Sequence, residues 1–255
     1  CKDEIVKNLR KVMEEVLRPE NFCVSYTGER ESLDTVKTQA AEIKKVLFNG
    51  QKPEPVKQAP CIKKNEAFKT SGQVQYVAQN GNFRKKGLEY TGALEILKVI
   101  LSYDYLWINL RVKGGAYGCM SGFKRNGESF LVSYRDPHLK RTLEVYQGVP
   151  DYIRAFEADE REMTKYIIGT ISNKDVPRTP QMQGSISKTA YFSNVTEDML
   201  QKERNQILGA QKEDIQKLAA LVEAVLSDDQ ICVVGSETAI ENAEDVFMEV
   251  KPLIG

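Results

Sequence analysis

The segment from Leu110 to Phe123, LRVKGGAYGCMSGF, contains the side chains of this sequence that are best suited to hold a peptide bond. Arg111 is a permanently charged hydrogen-bond donor and Tyr117 is a neutral phenolic donor. Gly114 and Gly115 lie between them and permit a sharp turn, so that both side chains can converge on one ligand. Peptide carbonyl groups, and the oxyanion that forms during their hydrolysis, accept such hydrogen bonds.

A structural interpretation of the same residues stays open at this point. Arg111 could satisfy the carbonyl groups at the end of a helix, and Tyr117 could be a half-buried aromatic residue of a strand. Neither side chain can activate water at neutral pH. A hydrolytic role for this pair therefore requires an activating group from elsewhere.

The predicted elements around this segment would position both side chains. An apolar stretch of helical period covers about 92–110 and is expected to end at the glycine pair. Two strands are predicted next, Tyr117 to Phe123 and Ser129 to Tyr134. Lys124-Arg125-Asn126-Gly127 joins them, and Asn-Gly is a strong hairpin signal.

The rest of the pattern predicts an α+β fold with a mainly antiparallel sheet and helices packed on one face. Strands are expected at Glu66 to Lys69, Gln73 to Ala78 and Gln230 to Val234. Four or five helical segments are expected from His138 to Ala224, with one helix starting at Thr179-Pro180. A last helix is expected from Thr238 to Val250.

An internal repeat predicts how the chain divides into domains. KDEIVKNLRKVMEEVLRPENFCVSYTG, from residue 2, is matched with one gap by KEDIQKLAALVEAVLSDDQICVVGS, from residue 212. The repeated unit is a helix followed by a strand, Phe22 to Tyr26 in the first copy, and a second helix is predicted there from Ser32 to Phe48. We predict that 1–48 is the tail of one domain, 49–65 is a proline-rich linker, and 66–255 is a complete second domain of the same type.

Composition excludes several classes of partner. The chain has 255 residues, 36 basic and 36 acidic residues and no net charge, so no global field favours nucleic acid or an anionic membrane. It contains no apolar run long enough for a transmembrane helix, and its start lacks the pattern of a signal peptide. Five scattered cysteines without a C-x-x-C pair are typical of free thiols in a reducing compartment. We expect a cytoplasmic location, or an organelle in a eukaryote.

Local charge is less even than the total. Residues 111–141 contain seven bases and two acids, whereas 196–255 contain thirteen acids and five bases. We hypothesise that Lys124 and Arg125, in the hairpin turn, attract the carboxylates of peptides. Charges exposed to solvent for solubility alone are the alternative interpretation.

The motifs RVKGGAYG, SYRDPHL and TLEVY, together with VPRTPQMQGSISKTAYFSN, resemble the C-terminal half of presequence proteases. These are inverzincin peptidases of the pitrilysin/insulinase family. The resemblance covers most of Glu66 to Gly255. It implies two halves that enclose a peptide chamber, with Arg111 and Tyr117 reaching across to bind substrate and stabilise the tetrahedral intermediate. From the glycine turn and the local charge we add Gly114, Gly115, Lys124 and Arg125 to the predicted substrate-binding residues.

The family's zinc site is an inverted H-x-x-E-H helix with a distal glutamate. This chain has one histidine, His138, at a predicted helix start and without a Glu-His partner at the required spacing, so we predict no metal site in it. The resemblance places zinc and the general base in the N-terminal half of the same polypeptide. The chain alone is expected to be an inactive portion of a zinc metalloendopeptidase that degrades unstructured peptides.

Three alternatives remain. The strongest is a non-catalytic scaffold or partner-binding subunit of the same fold. A thiol enzyme built on Cys119 and His138 lacks any pattern that pairs the two residues. A nucleotide site at GGAYG lacks both phosphate-binding glycine motifs.

Overall fold

The computed structural model describes residues 2–51, 62 and 64–253. The residue contacts divide the chain into two compact units. One unit comprises Cys1–Pro60 with Pro177–Thr196, and the other comprises Cys61–Val176 with Glu197–Gly255. The segment Pro177–Thr196 thus groups with the first unit, although it lies inside the domain 66–255 that the sequence predicts. Most of the predicted linker, 49–65, lies outside the described residues, and the domain boundaries stay a prediction.

A six-stranded mixed sheet forms the centre of the second unit, and its order is β3-β4-β2-β5-β1-β6. Three of its five pairings are antiparallel, while β1 runs parallel to both β5 and β6. This confirms the α+β class with a mainly antiparallel sheet. The strands are β1 (Glu66–Thr70), β2 (Gln75–Asn82), β3 (Gly118–Phe123), β4 (Glu128–Asp136), β5 (Gln230–Ser236) and β6 (Glu249–Pro252).

Burial alternates along the inner strands, so one face of the sheet is covered and the other is more open. In β2, Gln75, Val77 and Gln79 are buried, whereas Tyr76 and Asn80 are exposed. Helices pack against β2, β3, β1 and β5 and contribute most of the hydrophobic core.

The helices of the second unit are α3 (Ala93–Ile100), α4 (Lys140–Gln147), α5 (Val149–Arg154), α6 (Glu160–Lys174), α8 (Glu197–Leu208), α9 (Lys212–Gln216), α10 (Ala219–Leu226) and α11 (Glu237–Glu241). The first unit contains α1 (Lys2–Val16), α2 (Leu33–Lys45) and α7 (Pro180–Phe192). α7 begins as predicted, because the Thr179 side chain accepts a hydrogen bond from the Met182 N–H and Pro180 occupies the first turn. Seven helices, rather than four or five, begin within 138–224.

The helix predicted over 92–110 is present but changes its winding. After α3 it continues through two π-helical stretches, Leu101–Tyr105 and Trp107–Val112. A π-helical turn adds one residue to each backbone ring, and such turns are frequent at functional sites. The candidate residue Arg111 lies in the second stretch.

The predicted last helix, Thr238 to Val250, is wrong beyond its first turn. α11 ends at Glu241, and the chain then pairs with the edge of the sheet as β6. The Met248 N–H donates to the Asn65 carbonyl at 2.7 Å. A short apolar pattern fits a helix or a strand equally well, and here the unpaired edge of β1 supplied the hydrogen bonds that favour a strand.

The strand predicted at Phe22 to Tyr26 is not formed. The Phe22 backbone is extended, with φ −92° and ψ 118°, but no strand pairs with 22–26 among the residues that the structure describes. Extended backbone becomes sheet only when a neighbouring strand accepts its hydrogen bonds.

Candidate functional site

The turn at Gly114 and Gly115 ends the π-helical stretch and directs the chain into β3. The Gly115 N–H donates to the Arg111 carbonyl and the Ala116 N–H donates to the Leu110 carbonyl, both at 2.9 Å. Gly115 has φ +80°, which favours glycine. At Gly114, a Cβ atom would lie 2.4 Å from the Leu110 carbonyl oxygen. Both glycines are therefore explained by the backbone of this turn.

The turn brings Arg111 and Tyr117 together, as their spacing predicts. An Arg111 guanidinium nitrogen donates to the Tyr117 carbonyl oxygen. The guanidinium carbon lies 5.6 Å from the centre of the Tyr117 ring and 4.5 Å from that of Trp107. Arg111 is exposed, and Tyr117 retains 57% of its accessible surface. Both donors are therefore held by the fold but open to a ligand.

Two residues that sequence reasoning missed complete this cluster. Arg135 also lies near the phenol, with its guanidinium carbon 5.5 Å from the Tyr117 ring centre. The centre of the Tyr134 ring lies 5.6 Å from that of Tyr117. Arg135 has φ +49°, an uncommon value for a residue other than glycine. Its carbonyl accepts the Tyr117 N–H at 3.3 Å. The sequence signal for Arg135 was its place in SYRD, at the end of the second hairpin strand. Gly118 pairs with Tyr134 in this hairpin, so Arg135 lies opposite Tyr117.

The cluster lies on an open surface at the β3 edge of the sheet. Exposed apolar side chains occur on the two elements that carry the donors, namely Trp107, Ile108 and Val112 on the π-helical stretch and Met120 on β3. A cavity of about 770 Å³ lies at the opposite edge, between β1, α11 and β6, and includes neither Arg111 nor Tyr117. This cavity is therefore separate from the cluster of Arg111 and Tyr117.

The hairpin cations Lys124 and Arg125 are placed differently from each other. Lys124 is exposed and contacts the Glu128 carboxylate at 3.2 Å. Arg125 pairs with the buried carboxylate of Glu203, which also pairs with Lys174, and its guanidinium lies 5.1 Å from the Tyr90 ring centre. The geometry gives Arg125 a structural contact, and its role in substrate binding stays a prediction.

Cys119 and His138 do not form a nucleophilic pair. Cys119 is half-buried in β3, and burial raises the pKa of its thiol to about 11, although the Arg111 charge lowers it in part. His138 is exposed ahead of α4, where its backbone N–H donates to the buried Asp136 carboxylate at 2.9 Å. A neutral thiol is a poor nucleophile, so the geometry gives no support to thiol chemistry here.

Within the described ranges, no group of three or more histidine, cysteine, aspartate or glutamate side chains is arranged to hold a metal ion. In the same residues, no helix combines the length and the apolar character that crossing a bilayer requires.

Comparison with known proteins supplies the family. The model of the presequence-protease (PreP) C-terminal domain matches residues 65–237. Protein HypA of Clostridium perfringens is 42% identical over 253 residues, which are 99% of this chain and 26% of that protein. Presequence protease 1, chloroplastic/mitochondrial, of Arabidopsis thaliana is 30% identical over 97% of this chain and 23% of that protein. The chain thus spans about a quarter of the length of these relatives.

A solved structure agrees at the level of the fold. The peptidase M16 inactive domain from Pseudomonas fluorescens has a TM-score of 0.53 and 17% identity, covering 88% of this chain and 52% of that one. The α+β unit of this chain therefore has the fold of that M16 peptidase domain. The chain belongs to the family of presequence-protease C-terminal domains, which confirms the resemblance seen in its motifs.

We expect Arg125→Ala to lower the free energy of unfolding by about 1–3 kcal/mol, because the buried Glu203 carboxylate loses one of its two cations. Lys124→Ala is the matched control, since its ion pair is exposed on both sides and contributes about 0–1 kcal/mol. Denaturant unfolding measures both variants. Equal losses for the two would contradict a structural role specific to Arg125.

We expect Cys119 to resist alkylation by iodoacetamide at pH 8. With a pKa of about 11, roughly a thousandth of the thiol is ionised at that pH, and the fraction rises with pH toward 11. Cys23, which is exposed, is the internal control. Mass spectrometry of the labelled peptides measures both rates, and equal labelling at pH 8 would show that Cys119 is not protected.

Proposed function

We propose that this chain is the part of an M16-type metalloendopeptidase that binds no zinc, and that it contributes substrate binding and oxyanion stabilisation to a catalytic site completed by the rest of the polypeptide. The family match supports a protease-related role. The observation that carries the finer proposal is the exposure of two hydrogen-bond donors, from Arg111 and Tyr117, side by side on a glycine-closed helix end.

Each side chain has a distinct task in this proposal. The Arg111 guanidinium has five N–H donors in a rigid fork, and only one of its nitrogens is engaged by the Tyr117 carbonyl. The others can hold a substrate carbonyl. The Tyr117 hydroxyl can donate to the oxygen that gains negative charge when a peptide carbonyl is attacked. Flanking guanidinium groups stabilise the orientation of the ring.

The residues present do not fit a zinc ion. The sequence has one histidine, and no ligand cluster occurs among the described residues. We propose that zinc is held by residues outside this chain, and no step assigned to Arg111 or Tyr117 depends on a metal ligand here.

The proposed substrate is an unstructured peptide, and the proposed partner is the N-terminal half of the same polypeptide. The apolar side chains beside Arg111 suit an extended peptide whose backbone is held by the two donors. Of the seven basic residues in 111–141, Arg111, Lys113, Arg135 and Arg141 have no carboxylate within 4 Å in the part of the chain that the structure describes. Any attraction for acidic peptides is therefore expected from these four residues and the exposed Lys124. We keep a cytoplasmic location, or an organelle in a eukaryote, as a proposal.

A non-catalytic scaffold is the second candidate. The structural neighbour from Pseudomonas fluorescens is described as an inactive domain, so the fold alone does not require chemistry. A scaffold does not need exposed donors beside a glycine turn, and this favours the catalytic contribution. The presence of H-x-x-E-H elsewhere in the full-length polypeptide, with hydrolysis of an unstructured peptide, would decide between the two.

We expect Tyr117→Phe, in the full-length polypeptide, to lower kcat for an unstructured peptide by about ten- to a thousand-fold, because one oxyanion donor is lost. KM should change little, since this hydrogen bond strengthens in the transition state. Tyr103→Phe is the control, because Tyr103 is 72% exposed in the first π-helical stretch and has no assigned role. Unchanged turnover for Tyr117→Phe would remove the phenol from the mechanism.

A further inference from the structure

Asp136, at the end of β4, is a buried carboxylate that takes no part in the proposed function. It is 1% exposed, and no basic side chain pairs with it in the part of the chain that the structure describes. Lys140, four residues on, pairs with Asp245 instead, at 2.8 Å. Two hydrogen bonds compensate the buried charge in part, because the Thr142 hydroxyl donates to one carboxylate oxygen at 2.7 Å and the His138 N–H to the other at 2.9 Å. These bonds join the end of β4 to the start of α4.

The backbone directly before Asp136 is irregular. Gln75 of β2 pairs with Asp136 but Val77 pairs with Ser133, so β4 has one more residue than β2 in this stretch. This is a β-bulge, and Arg135 within it has φ +49°. A residue other than glycine keeps a left-handed backbone only where its surroundings hold it. Asp136 supplies such a hold, because its carboxylate is bonded on the residue directly after Arg135.

The bulge contacts the backbone of Tyr117. The Arg135 carbonyl accepts the Tyr117 N–H at 3.3 Å, and Gly118, the next residue of the hairpin, pairs with Tyr134. The strands approach closely at this pair, because a Cβ atom at Gly118 would lie 2.5 Å from the Tyr134 hydroxyl oxygen. If the Arg135 peptide turned, its carbonyl would leave Tyr117, and the phenol would shift with the backbone that carries it.

We propose that Asp136 is a positioning residue for Tyr117. By fixing the chain after the bulge, its carboxylate keeps the Arg135 carbonyl directed at the Tyr117 N–H and thereby holds the phenol in one place. Asp136 is buried, so it acts through the backbone and contacts no substrate. The inference rests on the proposed function, because this placement matters for turnover only if the phenol donates to the oxyanion. A displacement of about 1 Å can then cost about a hundredfold in rate.

The hydrogen bonds of the carboxylate allow a variant that separates geometry from charge. In Asp136→Asn, the side-chain carbonyl oxygen can still accept the His138 N–H. The Thr142 hydroxyl oxygen also lies 3.1 Å from the His138 carbonyl oxygen, so the hydroxyl can donate there and accept from the new amide group. Asn therefore keeps both contacts without the charge, whereas Ala removes both.

Turnover of an unstructured peptide by the full-length polypeptide tests the proposal. We expect Asp136→Ala to lower kcat by at least about tenfold with little change in KM, and Asp136→Asn to keep kcat within about threefold of wild type. Asp228→Ala is the matched control, because the Asp228 carboxylate also accepts a backbone N–H, that of Asn82 at 2.9 Å, at the opposite end of β2. It should lower Tm without lowering kcat. An equal loss of kcat in the two alanine variants would overturn the proposal.

A second substitution separates this proposal from the function on which it rests. In a Tyr117→Phe background, Asp136→Ala should lower kcat no further, because the hydroxyl that it positions is gone. Additive losses, or full turnover in Asp136→Ala when Tyr117→Phe is impaired, would overturn the positioning role alone. Full turnover in Tyr117→Phe would overturn the proposed function.

Amide hydrogen exchange tests the contact without an assay of activity. In the 255-residue chain, the Tyr117 amide should exchange at least about tenfold faster in Asp136→Ala than in wild type. The Lys124 amide, which donates to the Glu128 carbonyl at 2.8 Å at the other end of the hairpin, should be unaffected. If Asp136→Ala does not fold, Thr142→Val removes one of the two hydrogen bonds and should also make the Tyr117 amide exchange faster. Unchanged exchange of Tyr117 in the variant that folds would overturn the proposal.

Discussion

The end of the π-helical stretch at Gly114 and Gly115 is the constraint on which the candidate site depends. The helix that leads to it is anchored in the core through Leu97, Ile100 and Leu106, all fully buried. The backbone hydrogen bonds that close it fix the direction in which β3 departs. β3 is an edge strand of the sheet, so Tyr117, which precedes it, lies at that edge. There it is next to Arg111, in the last turn of the π-helical stretch. The side chains are therefore placed by backbone geometry more than by contacts of their own.

The charges of this region divide into two groups with different physical roles. Arg125 and Lys174 compensate the charge of the buried Glu203 carboxylate, so these two cations stabilise the fold. Arg111 and Arg135 instead flank an exposed aromatic ring and face no carboxylate among the described residues. A count of charges along the sequence cannot separate these groups, since Lys124 and Arg125 are neighbours in one hairpin turn. Only the position of Glu203, almost eighty residues later, distinguishes them.

The two copies of the repeat show how one sequence pattern can have two structural outcomes. Both helices have the same apolar spacing, yet one stripe is buried in the core of its unit and the other is exposed. The difference arises because an amphipathic helix gains most of its stability from the surface that it covers, not from its own propensity. The same holds for 22–26, whose extended backbone lacks the neighbours that make β5 a strand.

The sequence by itself determined the class of the fold, the family, the hairpin and the helix that ends at the glycine pair, because periodicity and turn chemistry are local properties. It also brought Arg111 and Tyr117 together, through a short spacing that a glycine turn can close. The tertiary structure alone decided that Arg135 joins them, that Arg125 is engaged by Glu203, and that residues 249–252 form a strand instead of a helix. Each of these outcomes depends on a partner distant in the chain, and hydrogen bonds and ion pairs with such partners override weak local preferences.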